Sequence, residues 1–163
     1  VSTSSEPPLS GVRHLTATGF LVWSARVLLH WHRKNRLWLP FGGHIEENED
    51  PVQCVLREVE EECGIAAEVF GSSPPFAGFA TPRQLPPPVT ILVERAFDGR
   101  DWHEHIDLIY FVRPLTPPPA TFADPTIRWL DRAALEVNAP IAPSPEDVPA
   151  PVPDDVRLLA LEA

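Results

Sequence analysis

The chain has 163 residues, 44% of them hydrophobic, with 13 Lys+Arg against 23 Asp+Glu and a formal net charge of −10 at pH 7. That size suits one domain with its own core, and the acidic balance excludes a general binder of nucleic-acid polymers or anionic membranes, whose affinity comes from Lys and Arg neutralising phosphate. No apolar run reaches the roughly 18 residues of a membrane span, and the start VSTSSEPP has neither the basic nor the apolar region of a signal peptide. The expectation is a soluble, cytoplasmic chain, and two cysteines make no disulfide framework.

In chain order, apolar runs rich in β-branched and aromatic residues predict strands at residues 15–23, 27–31, 89–97, 106–112 and 127–130. Ser24-Ala25-Arg26 is turn-like between the first two, and Asp98-Gly99 is a turn between the third and fourth. One segment has strong helical grammar: Asp50 as N-cap, Pro51 at the first helical position and Gly64 as the stop. Shorter helices are predicted at residues 131–137, capped by Asp131, and at 154–161. Proline, 21 residues in all, gathers at 74–88, 114–125 and 140–153, which marks loops or an extended tail. Strands interrupted by a central helix indicate a single α/β or α+β domain.

The central helix is strongly acidic. On a wheel with Glu58 at 0°, Glu62 falls at about 40° and Glu61 at about 300°, so the three carboxylates share an arc of about 100°. Val52, Leu56, Val59 and Cys63 lie on the side that would pack on the sheet, with Cys63 toward the core and Cys54 an ordinary helix residue. A solvated acidic face is the ordinary reading of such an arc. Here, however, only Arg57 relieves the repulsion, and the acids sit in the last turns, where the helix dipole disfavours them. Hard oxygen ligands grouped in this way suit Mg²⁺ or Mn²⁺, which bridge to substrate phosphates.

Gly43, five residues, Glu49, seven residues, then Arg57-Glu58-Val59-Glu60-Glu61-Glu62-Cys63-Gly64-Ile65 resemble a complete Nudix box, with all nine specified positions matched over 23 residues. The order of strands around the box also resembles that family over roughly residues 12–137. The resemblance implies an α/β/α sandwich on a mixed sheet, with residues 1–11 a flexible N-terminus, 12–137 the domain and 138–163 a Pro-rich extension with a short terminal helix. It also implies metal-dependent hydrolysis of a diphosphate linkage in a nucleoside diphosphate joined to another moiety. The metal ligands would be Glu58, Glu61, Glu62 and the Gly42 carbonyl. Glu49 would act through water or from behind the ligands, oriented by Arg57. The general base would be Glu58 or a late-loop acid, for which Asp124 stands where many relatives carry Glu. The implied partner is a small phosphorylated substrate of the nucleotide class, with no nucleic-acid polymer and no membrane, and a homodimer is allowed. Two other readings compete: a binding module that keeps this fold without catalysis, and, last, an enzyme of the isopentenyl diphosphate isomerase type.

Other residues offer chemistry of their own. His103, His105 and Asp107 share one face of a strand by the period of two, a spacing that could hold Zn²⁺, border the active site or be hydrogen-bonded structure. His30 and His32 repeat that spacing. Arg33, Lys34 and Arg36 form a basic cluster just before Gly42-Gly43, and Arg33 and Arg36, with His44, are candidate phosphate or leaving-group contacts beside a solvated-turn alternative. Residues 43–65 carry eight acids and one base, so most of the chain's negative charge has one address.

Overall fold

The computed structural model describes residues 9–74, 76, 81–97 and 101–163. Strands β1 (Leu9–Trp23) and β2 (Arg26–His32) form a hairpin closed by Ser24 and Ala25. Both turn residues have positive φ (50° and 57°), the hand that matches strand twist in a two-residue loop. Strands β3 (Leu37–Leu39) and β4 (Phe41–His44) lead to helix α1 (Pro51–Cys63). Then come β5 (Ala67–Val69), β6 (Thr90–Phe97), β7 (Trp102–Pro114), β8 (Ile127–Asp131), α2 (Arg132–Val137) and α3 (Asp154–Glu162). The strands make one mixed sheet in the order β3-β2-β1-β7-β5, with β4 paired to β1, β6 to β7 and β8 to β2. Only β1 and β7 run parallel among these pairs.

The two faces of the sheet are covered differently. Ala17, Leu21, Leu28, Phe41, Tyr110 and Val112 pack with Cys54, Val55 and Val59 of α1. Phe20, Val27, Leu29, Trp31 and Ile109 pack with Leu135 of α2 and with Val152, Val156 and Ala160 around α3. Alternation along β1 sends adjacent residues to opposite clusters, and the result is the α/β/α sandwich on a mixed sheet implied by the resemblance. The C-terminal stretch therefore seals one face of the core: Val152 and Val156 are buried, and Asn138 pins the stretch through bonds with the Val152 backbone at 2.9 and 3.0 Å.

Helix α1 follows its sequence signals. Asp50 Oδ1 accepts from the Val52 and Gln53 amides, Gln53 Oε1 accepts from the Asp50 amide, and Gly64 ends the helix at φ 72°. The wheel is corrected at the cysteines. Cys54 is completely buried and Cys63 only partly. The reason is that β4 runs along α1, from Glu62 at Gly42 to Cys54 at its far end, so that Cys54 Sγ meets the carbonyls of Gly43 and His44. The expected strands 15–23 and 106–112 are cores of longer strands, and β3, β4 and β5 were not anticipated. Of the expected flexible N-terminus, residues 1–8 lie outside the described residues, as does the Asp98-Gly99 turn, while residues 9–11 belong to β1.

Candidate active site

The site forms where the C-terminal turns of α1 meet β4. Gly43 stands against Glu58 so closely that a Cβ there would collide with the carboxylate, so only glycine permits this approach. The Gly42 amide donates to Glu62 Oε2 at 3.3 Å, and a Cβ on Gly42 would come within 2.6 Å of Thr18 Oγ1. The acidic arc is therefore not a solvated face. Glu58 and Glu62 are tucked against bare backbone, with only Glu61 largely exposed.

Arg57 organises the acids. Its Nε and Nη2 donate to the two oxygens of Glu49, each at 2.9 Å, a bidentate fork. Its Nη1 donates to Glu58 Oε1 at 2.8 Å and to Glu61 Oε2 at 3.2 Å. These bonds raise the Arg57 pKa further and, led by the Arg57 fork, hold Glu49 below the usual carboxylate range. Glu62 receives no such help. Burial first, then the charges of Glu58 and Glu61, push its carboxyl up to about 7 against a hydrogen bond from Gly42. Among the described residues the one basic group within 4 Å of it is His30, with Nδ1 3.8 Å from Glu62 Oε1. Burial and His32 lower the His30 pKa to about 4, so near neutral pH this imidazole carries no balancing charge. Four carboxylates, Glu49, Glu58, Glu61 and Glu62, and one cation, Arg57, leave the pocket net negative.

A family model described as NUDIX domain matches residues 12–148. The chain belongs to the NUDIX domain family. It is 36% identical over 76 residues to Nudix hydrolase 25 of Arabidopsis thaliana, a match spanning 46% of this chain and 40% of that relative's length. A NUDIX-family hydrolase from Clostridium perfringens has a TM-score of 0.70 at 24% identity, covering 93% of this chain and 95% of its own. An ADP-ribose pyrophosphatase from Streptococcus suis has a TM-score of 0.50 at 16% identity, covering 91% and 90%. At these identities the two structures establish the shared fold.

With the Nudix box located, the remaining candidates can be placed. Glu49, Arg57, Glu58, Glu61, Glu62 and Gly42 converge as just described. Arg33 and Arg36 are exposed on the turn between β2 and β3, beyond His30. Among the described residues neither forms an ion pair with the α1 carboxylates. Asp124 is exposed and shapes its own turn: its Oδ1 accepts from the Thr126 amide at 2.9 Å and from Thr126 Oγ1 at 2.6 Å, which with Arg33 nearby holds its pKa low. Asp107 is buried, its two oxygens taken by the hydroxyls of Thr16 and Thr18 at 2.9 and 2.8 Å. His44 and His105 lie on the other face of the sheet from α1, because β4 and β1 register His44 opposite Thr16 and Gly43 opposite Ala17. The residue that sequence reasoning underrated is His30: its sequence signal was the spacing shared with His32, and the structure puts it on the α1-facing side of β2 beside Leu28 and Phe41.

No helix among the described residues is long and apolar enough to cross a membrane.

Proposed function

We propose that this chain hydrolyses the diphosphate linkage of a nucleoside diphosphate joined to another moiety, with Mg²⁺ or Mn²⁺ as cofactor. The observation that carries the proposal is Glu62: a partly buried carboxylate beside Glu58 and Glu61, pushed up to about 7, with a neutral histidine in place of a counter-cation. That donor set fits a hard divalent ion, with Glu58, Glu61, Glu62 and the Gly42 carbonyl as its ligands. Bound there, such an ion supplies Lewis acidity toward the diphosphate and a lowered pKa for an attacking water.

The protein's own residues have distinct tasks in this reading. Arg57 fixes Glu49 and Glu58 in one plane of hydrogen bonds, so that neither needs to reorganise as charge develops. Gly43 keeps the wall facing Glu58 free of a side chain, which lets a phosphate approach the backbone. Glu58 takes the proton of the attacking water, since it lies within the carboxylate group, whereas Asp124 Oδ1 is held by Thr126. Arg33 and Arg36 stand on the turn leading into this wall, where they would meet the outer phosphate.

The test is a screen of nucleoside triphosphates, sugar nucleotides and ADP-ribose with Mg²⁺ and Mn²⁺, reading released phosphate or nucleoside monophosphate. Turnover that requires metal and falls at least about 10²-fold in Glu61→Gln and Glu62→Gln supports the proposal. No metal-dependent turnover on any diphosphate, or equal rates in the variants, would make the chain a binding module instead.

A further inference from the structure

On the face of the sheet opposite α1, four imidazoles converge. They belong to His14 of β1, His44 of β4 and His103 and His105 of β7, and one ring nitrogen from each lies within 4.8 Å of the others. The topology makes this meeting. Parallel pairing sets His14 beside His105, antiparallel pairing sets His44 opposite Thr16, and the period of two places His103 with His105. His14 Nδ1 and His44 Nε2 are 3.0 Å apart, and His103 Nε2 and His105 Nε2 are 2.9 Å apart.

Four imidazoles this close cannot all be imidazolium, because each added charge repels the next. Acidic groups border the cluster on the same face. Asp107 stands two residues along from His105, and Glu94 is registered opposite His105, its pKa raised by burial and then by Asp107 and Asp155. Both oxygens of Asp107 are engaged by Thr16 and Thr18, so Asp107 is not counted among the ligands. His103 is buried and His44 exposed, which leaves a way in from solvent.

We propose that His14, His44, His103 and His105 form a site for one divalent transition ion of the Zn²⁺ class, separate from the carboxylate centre on α1. Imidazole nitrogen favours Zn²⁺, Co²⁺, Ni²⁺ and Cu²⁺, whereas carboxylate and carbonyl oxygen favour Mg²⁺ and Mn²⁺, so the two centres select different ions. A tetrahedral zinc site with Zn–N of about 2.0–2.1 Å separates its nitrogens by about 3.3 Å. The two short contacts open slightly and the longer ones close by about 1.5 Å at most to reach that geometry. Such an ion ties β1, β4 and β7 together behind the strand that carries Gly42 and Gly43. It also secures β4, whose His44 carbonyl accepts from Arg57 Nη2 at 3.3 Å on the catalytic side.

The experiment uses the full chain without a histidine tag, stripped by chelator and then titrated with Zn²⁺ against a chromogenic chelator in excess Mg²⁺. Co²⁺ is titrated in parallel for its visible spectrum. The expected result is one equivalent of Zn²⁺, a tetrahedral Co²⁺ spectrum, and at least about tenfold weaker Zn²⁺ binding in both His103→Gln and His44→Gln. Glu61→Gln and Glu62→Gln retain wild-type Zn²⁺ affinity. His44 is exposed, so its variant tests the site even if His103→Gln fails to fold. Loss of all bound Zn²⁺ to the chelator, wild-type affinity in His44→Gln, or loss of Zn²⁺ binding in the glutamate variants would overturn the assignment.

Discussion

Replacing Glu62 by Gln removes a charge that the fold holds against its preference. Burial, with Glu58 and Glu61 beside it, lifts this carboxyl from 4.5 to about 7. A group whose folded pKa is raised contributes stability below its unfolded pKa, and that contribution is lost as pH rises through the folded value. The window therefore runs from pH 4.5 to about 7. At about 1.36 kcal/mol per pH unit, the full displacement is worth roughly 3 kcal/mol. The side chain is 29% exposed, and water screens part of the effect, leaving about 1–2 kcal/mol. Gln keeps an acceptor for the Gly42 amide while deleting the charge. His30 and His105, both lowered to about 4, act in the opposite sense, adding stability as pH rises from about 4 to 6.5. His105 lies on the other face of the sheet and cancels in the comparison, and the main cause at His30, its burial, is common to both proteins. In chelator, Glu62→Gln is expected to be about 1–2 kcal/mol more stable than wild type at pH 8, or about 2–8 °C in Tm for a domain of this size. The gap should close toward pH 4.5. Thermal denaturation across that range measures it, and a variant no more stable at pH 8, or a gap that widens on acidification, would refute the reasoning.

Three further perturbations have defined outcomes. Arg57→Lys cannot reproduce the fork on Glu49, so chemical denaturation should show a loss of about 1–3 kcal/mol, with metal-dependent turnover falling at least about tenfold. Gly43→Ala drives a methyl group into the Glu58 carboxylate. The Glu58 side chain can swing aside, so the substitution is expected to cost less than about 1 kcal/mol by the same assay while weakening Mn²⁺ binding. Asp50→Ala removes the side-chain cap of α1 and should cost about 1 kcal/mol in urea denaturation, leaving the metal requirement of turnover in place.

What could be read in the sequence was what local rules determine. Asp50, Pro51 and Gly64 bound α1 through capping and backbone preference, and the spacing of Glu58, Glu61 and Glu62 put them on one arc. Residues whose roles depend on distant pairing were harder to read. Gly42 and Gly43 have little strand propensity of their own and become β4 only by lying against residues 16–19 of β1. Cys54 sits on the acidic side of the wheel yet is wholly buried, because β4 runs along the helix on that side. The proline-rich end looks like a tail in composition, but Val152, Val156 and Ala160 are spaced to fill the core beside Leu135. His14 and His105 are far apart in sequence, and nothing local announces the parallel pairing of β1 and β7 that brings them together.

The central claim, that the acidic face of α1 is a metal centre, is tested most directly by titrating Mn²⁺ into the chelator-treated protein and following the free ion by electron paramagnetic resonance. Saturable binding should weaken at least about tenfold in Glu58→Gln, Glu61→Gln and Glu62→Gln, and His44→Gln should bind Mn²⁺ as wild type does. Mn²⁺ binding unchanged by the three glutamate substitutions would contradict the claim.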